Sequence, residues 1–225
     1  MLNATFFGQN RHRAAGSGPP TANLLAWFKA SSLSSSPVTT WPDSSGNGHN
    51  LTMTGSPTWA AGAINGLPAV TFNGSSQYGT MATPVPYSGQ VSIYVVFSSP
   101  NSQISAFVSG TSNTFEYRLD ATYQALFQNT ALLASSSAGV ASDVYYKAAV
   151  TYIGSTGALA FYQDGAAAGS FTDAQTITNG INVVGANASG GISEFYKGSL
   201  AEILIYGTGT YNAAVDTYLH GEYNL

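Results

Sequence analysis

The sequence predicts an all-β fold, a two-sheet antiparallel sandwich with one short C-terminal helix and an extended N-terminal arm. Three observations carry that reading. From Leu24 onward, short apolar or alternating runs recur between Gly, Pro, Asn and Ser clusters, the spacing of a sandwich or barrel. Most runs are rich in β-branched and aromatic residues, which suit a pleated, half-buried surface. No segment repeats at a fixed period, which argues against a propeller or solenoid. The 225 residues fit one large unit, since all-β sandwiches commonly run to ~200–250 residues.

The expected strands are LLAWFK (24–29), PAVTFN (68–73), VSIYVVFSS (91–99), ISAFVS (104–109), FEYRLD (115–120), YQALFQ (123–128), VYYKAAVTYI (144–153), ALAFYQ (158–163), INVVGA (181–186) and SLAEILIY (199–206). Asp164-Gly165 after Tyr162-Gln163 supplies the positive-φ residues of a tight hairpin. Tyr211, Ala214, Val215, Tyr218 and Leu219 recur at helical spacing and predict a helix near the end of the chain.

Residues 1–22 read differently. Arg11, His12 and Arg13 stand before AAGSGPP, a linker-like run. The segment is expected to be an arm, with Phe6, Phe7, Arg11 and Arg13 anchoring it to neighbouring chains in a homo-oligomer or larger assembly. Residues 23–225 then form the sandwich domain.

Composition limits the function. Charged residues make up 7% of the chain against ~25% in soluble domains generally, so hydroxyls and amides must carry the hydration. Six Lys and Arg with a net charge of −4 supply no basic stripe, which excludes nucleic acid as an expected partner. No stretch approaches the ~18 apolar residues of a membrane span, and MLNATFFGQNRHRAAG lacks the apolar core of a standard secretion signal. The chain has no cysteine, so packing rather than disulfides must hold it together.

Three segments resemble the laminin-G-like branch of the concanavalin A-like lectin/glucanase superfamily, in the versions found in bacterial surface and phage virion proteins. They are LLAWFKAS (24–31) with WPDSSGNGHNLT (41–52), NGLPAVTFNGSSQY (65–78), and GSLAEILIYGTGTYNAAVDTYLHGEYNL (198–225). Their order and separation match the family's layout. The resemblance implies a two-sheet antiparallel jelly-roll sandwich and adds Glu202 to a family cation site. The family often has Asp before that Glu, whereas here Ala201 precedes Glu202.

Candidate chemistry is sparse. Glucanases of this fold set their carboxylates along one strand, and no Glu-x-Asp-x-x-Glu run exists here. Glu116 and Asp120 share a strand face but stand ~13 Å apart by strand rise, beyond the ~5–9.5 Å of a hydrolytic pair. With Arg118 between them they read as a solvated ion-pair row. His12, His49 and His220 are scattered and form no catalytic set.

The loop from Asp43 to Asn50 has two readings. A Gly/Asn-rich loop can turn carbonyls onto Ca2+, which takes six to eight oxygens, with Asp43, Asn47 and Glu202 as the ligand set. Alternatively Asp43 and Asn47 bond their own loop in Asx turns, a reading that the few acidic residues nearby support.

Exposed aromatics beside turns would stack on sugar rings. Trp41, Trp59, Tyr78, Tyr87 and Tyr123 are the candidates, with Trp27 assigned to the core.

The expected function is therefore binding rather than catalysis. One setting is a virion surface component, a capsid decoration or fibre, whose lectin-like domain touches host polysaccharide. The alternative is a carbohydrate-binding or adhesion module outside the cell or on a bacterial surface, and a glycoside hydrolase is the least supported.

Overall fold

The computed structural model describes residues 18–86, 88–100, 103–110, 115–128, 131–173 and 180–225. Its first elements are β1 (Leu24–Lys29), β2 (Thr40–Trp41), β3 (Leu51–Thr54), β4 (Thr58–Ile64), β5 (Leu67–Asn73), β6 (Tyr78–Val85), β7 (Gln90–Ser98) and β8 (Ser105–Ser109). There follow β9 (Glu116–Asp120), β10 (Tyr123–Gln128), β11 (Ala131–Gly139), β12 (Tyr145–Ile153), β13 (Ala158–Gln163), β14 (Ala166–Thr172), β15 (Ile181–Val184), β16 (Lys197–Tyr206) and the helix α1 (Ala213–Tyr223).

The strands form two antiparallel sheets, as predicted. The first runs β14-β13-β12-β7-β16-β5-β4, with β1 also paired to β16, and the second runs β11-β10-β9-β8-β15-β6-β3-β2. At the centre of the first sheet lie β7 and β16, both apolar on successive residues because each is covered on two faces. One edge of β16 pairs with β7 from Ser199 to Tyr206. The other is shared by β5, at Lys197 to Leu200, and β1, at Glu202 to Tyr206.

The two sheets enclose one interior. Phe97, Phe107, Tyr117 and Tyr196 meet there, with ring centroids 4.7, 5.1 and 5.4 Å apart along the chain of contacts, in tilted and edge-on arrangements that suit aromatic quadrupoles. A second apolar layer lies on the far side of the first sheet, where Tyr94, Val96, Leu204 and Tyr206 receive Val215, Leu219 and Tyr223 of α1. The helix starts at Asn212, whose side chain accepts from the Ala214 N–H, and ends at Asn224 in the left-handed region. Tyr211 thus precedes the helix, and the buried stripe runs through Val215, Leu219 and Tyr223 instead.

The Asp164-Gly165 turn joins β13 to β14 with φ of 50° and 84°, as the sequence required. Strands β2, β3, β4, β6, β11 and β14 were not expected. Two of them, ALLASSSAG (β11) and AAAGSFT (β14), are rich in Ala, Ser and Gly, and pairing with neighbouring strands overrides weak local preference.

At the start of the described chain Pro19 is buried and the Tyr206 hydroxyl donates to the Pro20 carbonyl at 2.9 Å. The arm candidates Phe6, Phe7, Arg11 and Arg13 lie outside the described residues.

Gly198 ties the central strands together. It has φ of 134°, and a Cβ there would stand 2.1 Å from the Ser98 carbonyl oxygen. Gly198→Ala should lower unfolding free energy by roughly 2–3 kcal/mol or more, combining backbone strain with a steric clash, and urea denaturation followed by Trp fluorescence will measure it.

Candidate functional site

The loop after β2 is closed by its own side chains. Asp43 accepts from the N–H groups of Trp27, Ser45 and His49 at 3.0, 2.9 and 3.0 Å and from the Ser45 hydroxyl at 2.9 Å. Burial acts to raise its carboxyl, but these donors outweigh it and hold Asp43 below the usual carboxylate range. Asn47 donates to the carbonyls of Leu24 and Leu25. The loop is thereby pinned to β1, and Gly46 and Gly48 take the positive φ values that its turns need.

Glu202 is 1% exposed and sits between the first sheet and α1. It accepts from Trp27 Nε1 at 2.5 Å, Tyr218 Oη at 2.9 Å and Tyr223 Oη at 2.8 Å. The Trp27 ring meets Tyr218 edge-on at 6.3 Å, so Trp27 packs under the helix rather than between the sheets. Burial pushes the Glu202 carboxyl up to about 7, against the pull of its three donors.

These contacts correct the calcium reading. The carboxylate oxygens of Asp43 and Glu202 are taken by protein donors, and Asn47 points its amide nitrogen at backbone carbonyls. Among the described residues no three His, Cys, Asp or Glu side chains lie close enough together to hold a metal ion. The Asx-turn alternative describes Asp43, which accepts from the Ser45 N–H two residues on, whereas Asn47 bonds β1 rather than its own loop.

The aromatic candidates divide. Trp41 is fully buried in the sandwich, with Nε1 donating to the Lys29 carbonyl at 3.0 Å, so its ring is closed to a ligand. Trp59 is half-buried and donates to the Ala30 carbonyl, which fixes it as packing for the 3-10 turn at Ala30–Ser32. Tyr78 is half-buried against Phe195, centroids 6.1 Å apart. Tyr87 lies outside the described residues. Tyr123 alone of those described is presented to solvent, at 45% exposure.

Tyr123 opens β10 directly after the two-residue turn Ala121-Thr122, and its Cα pairs with Asp120 of β9 on one side and Gly139 of β11 on the other. Residues paired across strands share a face. One edge of the ring approaches Gly139, its Cε1 4.0 Å from the position of a Cβ there. Ala121 holds a φ of 57°, uncommon for a residue with a side chain. Ser135 on β11, opposite Ala125, adds an exposed hydroxyl to the same face.

Asp120 is held from behind. Arg118 Nη2 stands 3.7 Å from Asp120 Oδ2, and its Nη1 stands 2.7 Å from Glu194 and 3.4 Å from Glu116. Asn187 Nδ2 donates to both glutamates, at 3.1 and 3.2 Å. The expected solvated row is corrected here, because Glu116 and Arg118 are only 6% and 7% exposed. The segment between β15 and β16 brings Asn187 and Glu194 down over them. Burial, reinforced by the hydrogen bond to Glu194, pushes the Glu116 carboxyl up to about 9. Burial also acts on Glu194, but the Glu116 hydrogen bond and Arg118 draw it below its ordinary value. The proton therefore rests on Glu116 and is donated to Glu194.

Asn187 and Glu194 could not be read from the sequence, since 71 to 76 residues separate them from their partners. The one cue was scarcity, because with ten acidic residues in the whole chain an isolated glutamate in GISEFYK is conspicuous.

With the fold and this face described, comparison places the chain. A model of the concanavalin A-like lectin/glucanases superfamily, of laminin G type, matches residues 73–213, more than half of the sequence, and the chain belongs to that family. Among curated proteins none matches it significantly.

Solved structures agree on the fold. Domain 4 of AbnA, an extracellular arabinanase from Geobacillus stearothermophilus in complex with arabinotriose, is 19% identical with a TM-score of 0.64, over 88% of this chain and 98% of that one. A mutant Trypanosoma rangeli sialidase with trans-sialidase activity is 12% identical with a TM-score of 0.62, over 92% of this chain but 34% of that one. The ligand binding domain of botulinum neurotoxin serotype D, in complex with N-acetylneuraminic acid, is 12% identical with a TM-score of 0.58, over 90% and 51%. The chain thus spans nearly all of the arabinanase domain, about a third of the sialidase and about half of the toxin domain.

The raised Glu202 carboxyl makes helix docking pH-dependent. Below the ordinary glutamate range, native and unfolded chains both carry the proton and this contribution is whole. As pH rises toward and through about 7 the unfolded chain has lost its proton while the native one must give it up, so stability falls. In urea titrations between pH ~5 and ~8, the stability advantage of wild type over Glu202→Gln should shrink steadily as pH rises; a difference that is constant or grows would contradict the assignment.

Proposed function

We propose that the protein is a non-catalytic binding module that holds a glycan on the outer face of its second sheet. The Tyr123 ring supplies the stacking surface and Asp120 accepts hydrogen bonds from sugar hydroxyls. The observation that carries this reading is Tyr123 itself, a solvent-facing aromatic beside Gly139 and paired with a carboxylate that Arg118 orients. A flat aromatic face beside a fixed acceptor matches the C–H face and hydroxyl edge of a sugar.

Sugar-bound structures of like fold, one with arabinotriose and one with N-acetylneuraminic acid, support the choice of ligand class. The carboxyl groups of Glu116 and Glu194 support binding over hydrolysis. They share a proton beneath Arg118, whereas a hydrolytic pair stands ~5–9.5 Å apart with sugar or water between.

The virion surface is the favoured setting, with a bacterial or extracellular surface as the alternative. Very low charge supports it, and so does the fixed base of the arm, where Pro19 is buried and Pro20 is bonded to Tyr206. Deleting residues 1–17 should abolish self-association or incorporation into particles in sedimentation velocity while leaving the far-UV spectrum unchanged; unaltered assembly of the truncated chain counts against the arm's role.

The glycan reading is tested by Tyr123→Ala on a glycan array and by calorimetry with each hit. Affinity should fall about tenfold, since an aromatic face contributes ~0.5–1.5 kcal/mol beyond its buried area, with melting temperature nearly unchanged because the side chain is exposed. Hits that survive the substitution would place the ligand elsewhere.

A further inference from the structure

The charge pattern of this face narrows its ligand. We infer that the Tyr123–Asp120 face selects neutral glycans and rejects those bearing carboxylate, sulfate or phosphate, an inference that rests on the glycan reading above.

Four cations belong to the described residues: Lys29, Arg118, Lys147 and Lys197. Three of them serve elsewhere. Lys29 lies over the Trp27 ring at 4.2 Å on the first sheet. Lys147, 5% exposed, is paired with Asp216 at 3.2 Å beside the helix. Lys197 opens β16 opposite Asn73 of β5, again in the first sheet.

Arg118 is the cation beneath the candidate face, and it is already shared among Glu116, Glu194 and Asp120. With Glu116 holding its proton, one guanidinium still faces the two carboxylates of Glu194 and Asp120. These are the cluster's outermost acids, with side chains 28% and 39% exposed, while the guanidinium lies behind them at 9%.

An anionic sugar laid on Tyr123 therefore meets negative charge first. Recognition of a carboxylate or phosphate calls for donors in a forked or clustered array, and here the fork is spent on internal acids. A neutral sugar meets what it can use, carboxylate acceptors for vicinal hydroxyls, the Ser135 hydroxyl, and an aromatic face. Like charges set against each other are a recognised means of excluding wrong partners.

The test titrates the full chain with neutral arabino-, xylo- and gluco-oligosaccharides and, in parallel, with 3′-sialyllactose and oligogalacturonates, each repeated with Tyr123→Ala and Asp120→Asn. The expected result is binding of at least one neutral series that is lost in Tyr123→Ala, acidic series at least tenfold weaker, and a neutral-to-acidic ratio that narrows in Asp120→Asn and in high salt, where exposed charges are screened. Acidic glycans that bind as well as neutral ones, in a manner sensitive to Tyr123→Ala, would overturn the charge selection and leave the face as the binding site. Binding that Tyr123→Ala leaves intact, or no binding by folded protein to any series, would overturn the site itself and the selection with it.

Discussion

A single buried carboxylate, Glu202, joins parts of the chain that lie far apart in sequence. It receives Trp27 from the first strand and Tyr218 and Tyr223 from the terminal helix, while its own backbone belongs to β16 at the centre of the first sheet. Without those donors an isolated charge would be too costly to bury. With them, the carboxylate fixes where the helix must dock and holds the first strand in register on the last.

That docking makes the two outer faces unequal. The helix and its apolar stripe close one side of the first sheet, around Tyr94, Leu204 and Tyr206. Among the described residues no helix lies over the second sheet. The segment after β15 crosses part of it and is tied down through Glu194 and Asn187 to Glu116 and Arg118. Beside the Ala121-Thr122 turn, beyond that cover, the exposed Tyr123 and half-exposed Asp120 stand. Burying an ion cluster adds little net stability, but here it sets the position of a covering loop and the orientation of a surface acid.

The chain's poverty in charge gives both clusters their weight. In a protein with 7% charged residues, internal partners consume much of the charge: Glu202 with two tyrosines and a tryptophan, Arg118 with three acids, Lys147 with Asp216. Apart from a few acids such as Asp120 and Asp143, the described surface is left to Ser, Thr, Asn and backbone groups. Such a surface hydrogen-bonds readily and attracts weakly at long range, which is consistent with a polyhydroxylated ligand.

Local chemistry sufficed to determine the sandwich, the Asp164-Gly165 hairpin, the terminal helix and the Asx turn at Asp43, because strand alternation, positive-φ turn residues and helical spacing are all short-range signals. The Ala- and Ser-rich strands β11 and β14 escaped notice because only their neighbours make them strands. The sequence also placed Glu116, Arg118 and Asp120 on one strand face correctly, and Tyr123 beside a turn. Only the tertiary structure decided which of these are buried and which are open. It closed Trp41 into the core, brought Glu194 across 76 residues onto Arg118, and turned Glu202 from an expected calcium ligand into the anchor of a helix. Burial and long-range pairing depend on which elements meet across the sheets, and no local pattern in the chain records that.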